Sequence, residues 1–254
     1  MTKRIFLSFL LLFLLSLLNG QNSLTKNSVK NDPGFINIIS YGLDLPAGNM
    51  RDLYGYNFRF GIAPTYYFAN SNFSIGISAE YIFGYKIRIN PVSNLQTYDE
   101  QILNSGPGIS SFNMSERGIV AGAFVSKVFP FKSDNLRTGI RIDLGPYFFS
   151  HWIHFKDDLG TIPQLEGEYR KGYDRLTGGF ALKEFIGYQH LSQKSKVSFN
   201  AGFEFFQGFT KSLRLHNYSN ASTDNEKKID LLFGVKIGWI LPIYIEKNPE
   251  EIYY

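Results

Sequence analysis

The stretch FSIGISAEYIFGYKIR, residues 73–88, decides the fold. Successive side chains of a strand point to opposite faces. One face therefore carries Phe73, Ile75, Ile77, Ala79, Tyr81, Phe83, Tyr85 and Ile87. The other carries Ser74, Gly76, Ser78, Glu80, Ile82, Gly84, Lys86 and Arg88. A long apolar face backed by charge and glycine suits a strand with lipid on one side and a packed polar lumen on the other.

The pattern recurs. At 57–68, Phe58, Phe60, Ile62, Pro64, Tyr66 and Phe68 oppose Arg59, Gly61, Ala63 and Thr65. At 136–149, Ile140, Ile142, Leu144 and Phe148 oppose Arg141, Asp143 and Gly145; at 197–210, Phe199, Phe203, Phe205 and Phe209 oppose Asn200, Glu204 and Gly208. At 229–245, Ile229, Phe233, Val235, Ile237 and Trp239 oppose Asp230, Gly234, Lys236 and Gly238. Strands at 35–45, 119–129 and 176–188 complete a predicted set of eight, with the faces of the last two left open because short or adjacent charged residues (Lys183, Glu184) blur the alternation.

Connections alternate in length. The turns at 69–72, 130–135 and 191–196 are short, the first rich in Asn and Ser as hairpins prefer, whereas 46–56, 90–118, 156–175 and 211–228 are long. Short turns on one side and long loops on the other predict an all-β fold, an eight-stranded antiparallel transmembrane up-and-down β-barrel over 35–245. The short turns would face the periplasm. Pro64, Pro146 and Pro242 fall inside strands, where each is expected to mark a bulge or a strand end. A soluble lipocalin-like barrel is the rival, with the apolar faces turned inward.

Around this body lie three polar or targeting segments. Residues 1–20 have a basic start (Lys3, Arg4), an apolar run and a small-residue exit, a secretory signal pattern. Residues 21–34 read as a polar periplasmic tail, and 246–254, EKNPEEIYY, as a second one past the last strand. The chain has no cysteine, so neither a disulfide framework nor a lipidated N-terminal cysteine is available. The formal charge of +4 falls to about +2 once Lys3 and Arg4 leave with the signal, too little to predict nucleic acid as a partner. The partners implied are outer-membrane lipid and other envelope proteins, at the cell outer membrane.

The faces opposite the apolar stripes gather Arg59, Glu80, Arg141, Asp143, Glu204, Asp230 and Lys236. An eight-stranded interior is just wide enough to be filled by side chains, so these groups are expected to pair as a polar network, Glu204 with Lys236 in particular. Trp152 and Trp239 are expected as interfacial aromatic anchors. His151 and His154, three apart on a strand, project to opposite faces, and the FFSHWIHF segment reads as a barrel-rim belt rather than a metal or acid–base site. No catalytic residue, metal or cofactor is expected.

The eight-strand layout resembles the small outer-membrane barrels typified by the transmembrane domain of outer membrane protein A. The ending LLFGVKIGWILPIY with its tyrosine-rich tail is similar to barrels of Bacteroidota. That resemblance implies a structural or protein-interaction role, in some members as accessory parts of a secretion machine. A narrow channel for small or hydrophobic solutes and a lipid-modifying barrel enzyme, working through His151, are the alternatives.

Overall fold

The computed structural model describes residues 33–99, 101–103, 108–110, 112–131, 135–157, 162–191, 197–214, 216–223 and 226–243. The predicted signal segment, all but the end of the first tail, and the 246–254 tail lie outside them. Eight antiparallel strands close into one barrel: β1 (Gly34–Gly48), β2 (Asn57–Tyr67), β3 (Phe73–Gly84), β4 (Asn113–Pro130), β5 (Gly139–Lys156), β6 (Thr177–His190), β7 (Phe199–Ser212) and β8 (Lys227–Ile243). Each pairs with its neighbours in sequence, and β8 pairs with β1 to close the ring.

The register fixes the barrel's shape. Starting at Phe35, the pairs run through Tyr66, Ile75, Val125, Leu144, Glu184, Phe205 and Phe233 and return to β1 at Leu45, ten residues on. With about 3.3 Å per residue and about 4.8 Å between strands, a ten-residue offset over eight strands gives a tilt of about 41°. On that lattice Trp152 and Trp239, both on the outer wall, stand about 26 Å apart along the axis, close to the height of a lipid-facing band.

The faces are those of a transmembrane barrel. Ile75, Phe203 and Trp239 point outward with exposures of 46%, 68% and 56%, whereas Glu80 and Arg59 are buried in the lumen. The lipocalin-like reading, which needs the reverse, is overturned. Among the described residues no helix is long and apolar enough to cross a membrane.

Several boundaries differ from the sequence reading. β3 stops at Gly84, not at 88, because the chain beyond it leaves the wall to pair with the first loop: Gly55 N–H donates to Lys86 O and Arg88 N–H to Leu53 O, 2.7 and 2.9 Å. β4 begins at Asn113 and β5 extends to Lys156, so these two strands rise together above the others at the loop end. Pro64 and Pro146 mark neither bulge nor strand end. Each interrupts one ladder, but the register is unchanged on both sides (Ile62 faces Ala79 and Thr65 faces Gly76; Gly122 faces Tyr147 and Val125 faces Leu144). A missing donor therefore costs a ladder bond locally without adding a residue. Pro242 sits one residue from the end of β8.

At the short-turn end, Asn70 takes a left-handed conformation (φ 49°), which Asn tolerates better than most residues and which lets β2 reverse tightly into β3. At the other end the loops interlock over the mouth. A single-turn helix, α1 (Met50–Leu53), and short 3-10 turns at Ser93–Leu95, Pro163–Leu165 and Tyr169–Gly172 place Met50, Val92, Ile162, Leu165 and Tyr173 in an apolar cluster that continues down to Ile82 and Phe149 in the barrel. Tyr218 N–H donates to Gly172 O (3.0 Å), Asn94 Nδ2 donates to Tyr218 O (3.0 Å), and Arg214 pairs with Asp174.

Depth-dependent cost follows from this geometry. Val235→Arg, near the middle of the outer band, is expected to destabilise the barrel in lipid vesicles by about 2–4 kcal/mol, and Phe35→Arg, at the rim, by only about 0–1 kcal/mol. Reversible urea unfolding of the two variants measures the difference; equal costs would contradict the assigned orientation.

Candidate functional site

The lumen is filled by charge arranged around one guanidinium. Arg59 on β2 lies 3.0 Å from Asp44 Oδ1 on β1, 3.2 Å from Glu80 Oε2 on β3 and 2.5 Å from Glu204 Oε2 on β7. Lys183 on β6 bridges Glu80 and Glu204, the latter at 3.0 Å. Lys236 on β8 lies 2.5 Å from Glu204 Oε1. Three cations and three carboxylates from six strands thus meet near mid-height, and their formal charges cancel.

The neighbouring residues explain how so much charge fits. Arg59 and Lys236 both stand opposite Gly42, Glu80 opposite Gly61, Asp44 and Glu204 opposite Gly234, and Lys183 opposite Gly145. At Gly61 a Cβ would fall against the Glu80 side chain, and at Gly234 against the Asp44 carboxylate. Wherever one strand presents a long charged side chain, the adjacent strand yields space. Aromatic rings line the cations: Arg59 lies 4.4 Å from the Phe206 ring centre, Lys236 4.5 Å from Phe185, and Lys183 5.1 Å from Tyr147. Their electron-rich faces add attraction to positions that would otherwise be merely apolar.

Two further tiers sit above and below. Toward the short turns, Arg141 lies 2.6 Å from Asp143 and donates to Gln189 Oε1 at 2.8 Å, and Gln189 in turn bonds the Tyr67 hydroxyl. Beneath the loop cap, His151 is fully buried between Asp230 Oδ2 (3.1 Å from Nε2) and the Tyr54 hydroxyl (3.2 Å from Nδ1), and Thr210 donates to the same Asp230 oxygen at 2.5 Å. Burial pushes the Tyr54 hydroxyl well above the ordinary phenol value, so it stays a neutral partner for the imidazole. Asn57 donates to Glu116 at 2.9 Å nearby.

The seven charged residues expected in the lumen all project there, divided among three tiers: Arg59, Glu80, Glu204 and Lys236 in the middle, Arg141 and Asp143 below, Asp230 above. Trp152 and Trp239 lie on the outer wall, near its upper and lower ends. The sequence reading did not place Asp44, Asn57 or Glu116 in the lumen, left the face of Lys183 open and read His151 as part of the rim. The rim reading of FFSHWIHF is corrected for His151, which turns inward as an internal partner of Asp230 while His154 faces out.

A void between the middle and lower tiers, lined by Ser40, Ser78, Glu80, Asp143, Tyr147 and Lys236, measures about 20 Å³, room for about one water molecule. No group of three or more His, Cys, Asp or Glu arranged to hold a metal occurs among the described residues.

No family model matches the chain, and no curated protein matches it. Among solved structures it is similar to Neisserial surface protein A (13% identity, TM-score 0.42, over 84% of this chain and 99% of that one). It is also similar to Ail, the attachment invasion locus protein of Yersinia pestis (9% identity, TM-score 0.42, over 83% of this chain and 99% of that one). At such identities and scores neither protein's activity transfers.

Removing Arg59 leaves three carboxylates around an empty centre. Arg59→Met is expected to cost about 3–5 kcal/mol, the usual penalty for stripping one member from a buried ionic cluster. Urea midpoints of refolded protein in vesicles test it, and a loss below 1 kcal/mol would show that the cluster is not held together through this residue.

Proposed function

We propose that this chain is a barrel of the Gram-negative outer membrane that serves as a structural and protein-interaction scaffold, not as a pore. The observation that carries the reading is the filled lumen: opposite charges interlock across the axis, and the void beside them has room for only about one water molecule. An ion crossing this barrel would have to break several short ion pairs at once inside a low-dielectric interior, where each is strong. The loop cluster closes the same axis a second time.

The outer wall supports the membrane placement. Ile77, Phe203 and Ile237 are left more than half exposed, an arrangement stable only against hydrocarbon or an apolar partner. An enzymatic role through His151 is disfavoured by geometry, since both ring nitrogens are engaged and the residue has no exposed surface. With the interior occupied, recognition falls to the interlocked loops, which present Tyr98 and Tyr169 outward on a held framework. An accessory place in a larger envelope assembly, a secretion machine among them, is the finer form of this proposal.

Purified chain refolded in detergent is expected to migrate differently before and after boiling, and to give a flat trace in planar bilayers across a wide voltage range. Discrete conductance steps from a preparation that passes the mobility test would overturn the scaffold reading in favour of a channel.

A further inference from the structure

One residue on the outer wall contradicts its surroundings. Of the eight outward residues on the pairing circuit from Phe35 round to Phe233, seven are apolar or aromatic and the eighth is Glu184. It stands seven residues from one end of β6 and six from the other, so it projects near the middle of the lipid-facing band. Its lateral partners are Leu144 and Phe205, and its neighbours along the strand face are Leu182 and Ile186. It has no hydrogen-bond or ion-pair partner among the described residues.

A second polar residue accompanies it. Gln207 on β7 also faces outward, opposite Leu182 and Leu231, and likewise has no partner among the described residues. On the barrel lattice Gln207 lies about 8 Å from Glu184 along the axis and within about 1 Å of the same vertical line. The wall thus carries a short vertical column with acceptors at mid-depth and amide donors above them. Hydrocarbon satisfies neither group, and ionisable residues at such depth usually face protein instead.

We infer that this column is the centre of a contact with a second copy of the chain. Resting on the membrane reading above, the inference follows from the column's self-complementarity. Two copies inserted in the same direction and related by a two-fold axis along the membrane normal bring each residue to its own depth in the partner. Each Gln207 amide then exchanges an N–H···O=C hydrogen bond with its copy at the same depth, and its second N–H points down the column toward the Glu184 pair. Polar side chains of this kind hold membrane segments together where no hydrophobic force acts between them. Leu182, Ile186, Phe203 and Phe205 surround the column as an apolar rim that excludes lipid from it.

The test is the oligomeric state of the purified full chain in nanodiscs and mild detergent, by native mass spectrometry and sedimentation equilibrium, with boiling-dependent mobility confirming that every variant is folded. Wild type is expected as a dimer. Glu184→Leu is expected to weaken dimerisation at least tenfold, Gln207→Leu to weaken it as well, and Glu184→Gln, which still donates and accepts, to retain it. Folded wild type that stays monomeric, or Glu184→Leu that dimerises as tightly as wild type, would overturn the inference while leaving the membrane reading intact. A chain showing no boiling-dependent mobility would sink that reading first.

Discussion

The rest of the structure depends on the ten-residue offset with which eight strands close. That offset sets the tilt, the tilt sets the radius, and the radius leaves a lumen that the barrel's own side chains must fill. Once lipid claims every apolar outward position, the inward ones can be polar, but only if each charge finds its opposite within a few ångströms. Arg59 meets that condition by reaching three carboxylates contributed by β1, β3 and β7. The glycines facing these residues are the steric counterpart of the same constraint: a cylinder this narrow accommodates a long side chain only where the adjacent strand has none.

Much of this was legible in the residues, for an identifiable reason. Where a strand alternates Phe or Ile with Gly, Ser or a charge, as around Glu80 and Glu204, period-two geometry alone assigns the faces. Diagonal placement across one hairpin then puts Lys236 within reach of Glu204. Lys183 was not assignable because Glu184 beside it is equally charged, and alternation cannot say which of two such neighbours belongs inside. Only the ladder to β5 and β7 resolves it, turning Lys183 inward and Glu184 outward. Asp44 escaped notice as an isolated carboxylate in a leucine-rich strand, and its role depends on a partner fifteen residues away across the first loop. Glu116 escaped because β4 starts well before its apolar run does, and with it the partner of Asn57. The extension is set by pairing with β5 high above the other strands, a long-range feature that no local pattern carries.

Charge of this kind raises the question of why the lumen is not simply apolar. Replacing a buried ionic cluster with well-packed hydrophobic residues is often neutral or favourable for stability, so stability alone does not explain six charges at one level. Register does. Shifting any one of these strands by a single residue moves its entire inward set to the outer face. For a strand carrying only Leu and Phe, such a slip exchanges apolar for apolar and costs little in a bilayer. For β2 it would carry Arg59 into hydrocarbon, strip Asp44 of its ion-pair partner and leave Glu80 and Glu204 to two lysines. The cluster therefore penalises misregistered closure far more than it rewards the correct one. Because its members come from six of the eight strands, it checks nearly the whole ring at once.

The same reasoning separates what this barrel has committed from what it has left free. Inside, every charged residue of the middle tier has at least one ion-pair partner, and a change there alters closure before it alters anything else. The outer wall and the loop surface are under no such lock, since a polar residue facing lipid disturbs no register and is opposed only by its own desolvation. Glu184 bears that opposition at mid-depth on β6, beside a lysine that the ladder holds firmly inside. Selection for closure cannot account for a carboxyl group there, because leucine at the same position would satisfy both register and solvent. Its presence points away from folding and toward something the wall touches, which is why the search for this protein's activity belongs on its surfaces and not in its lumen.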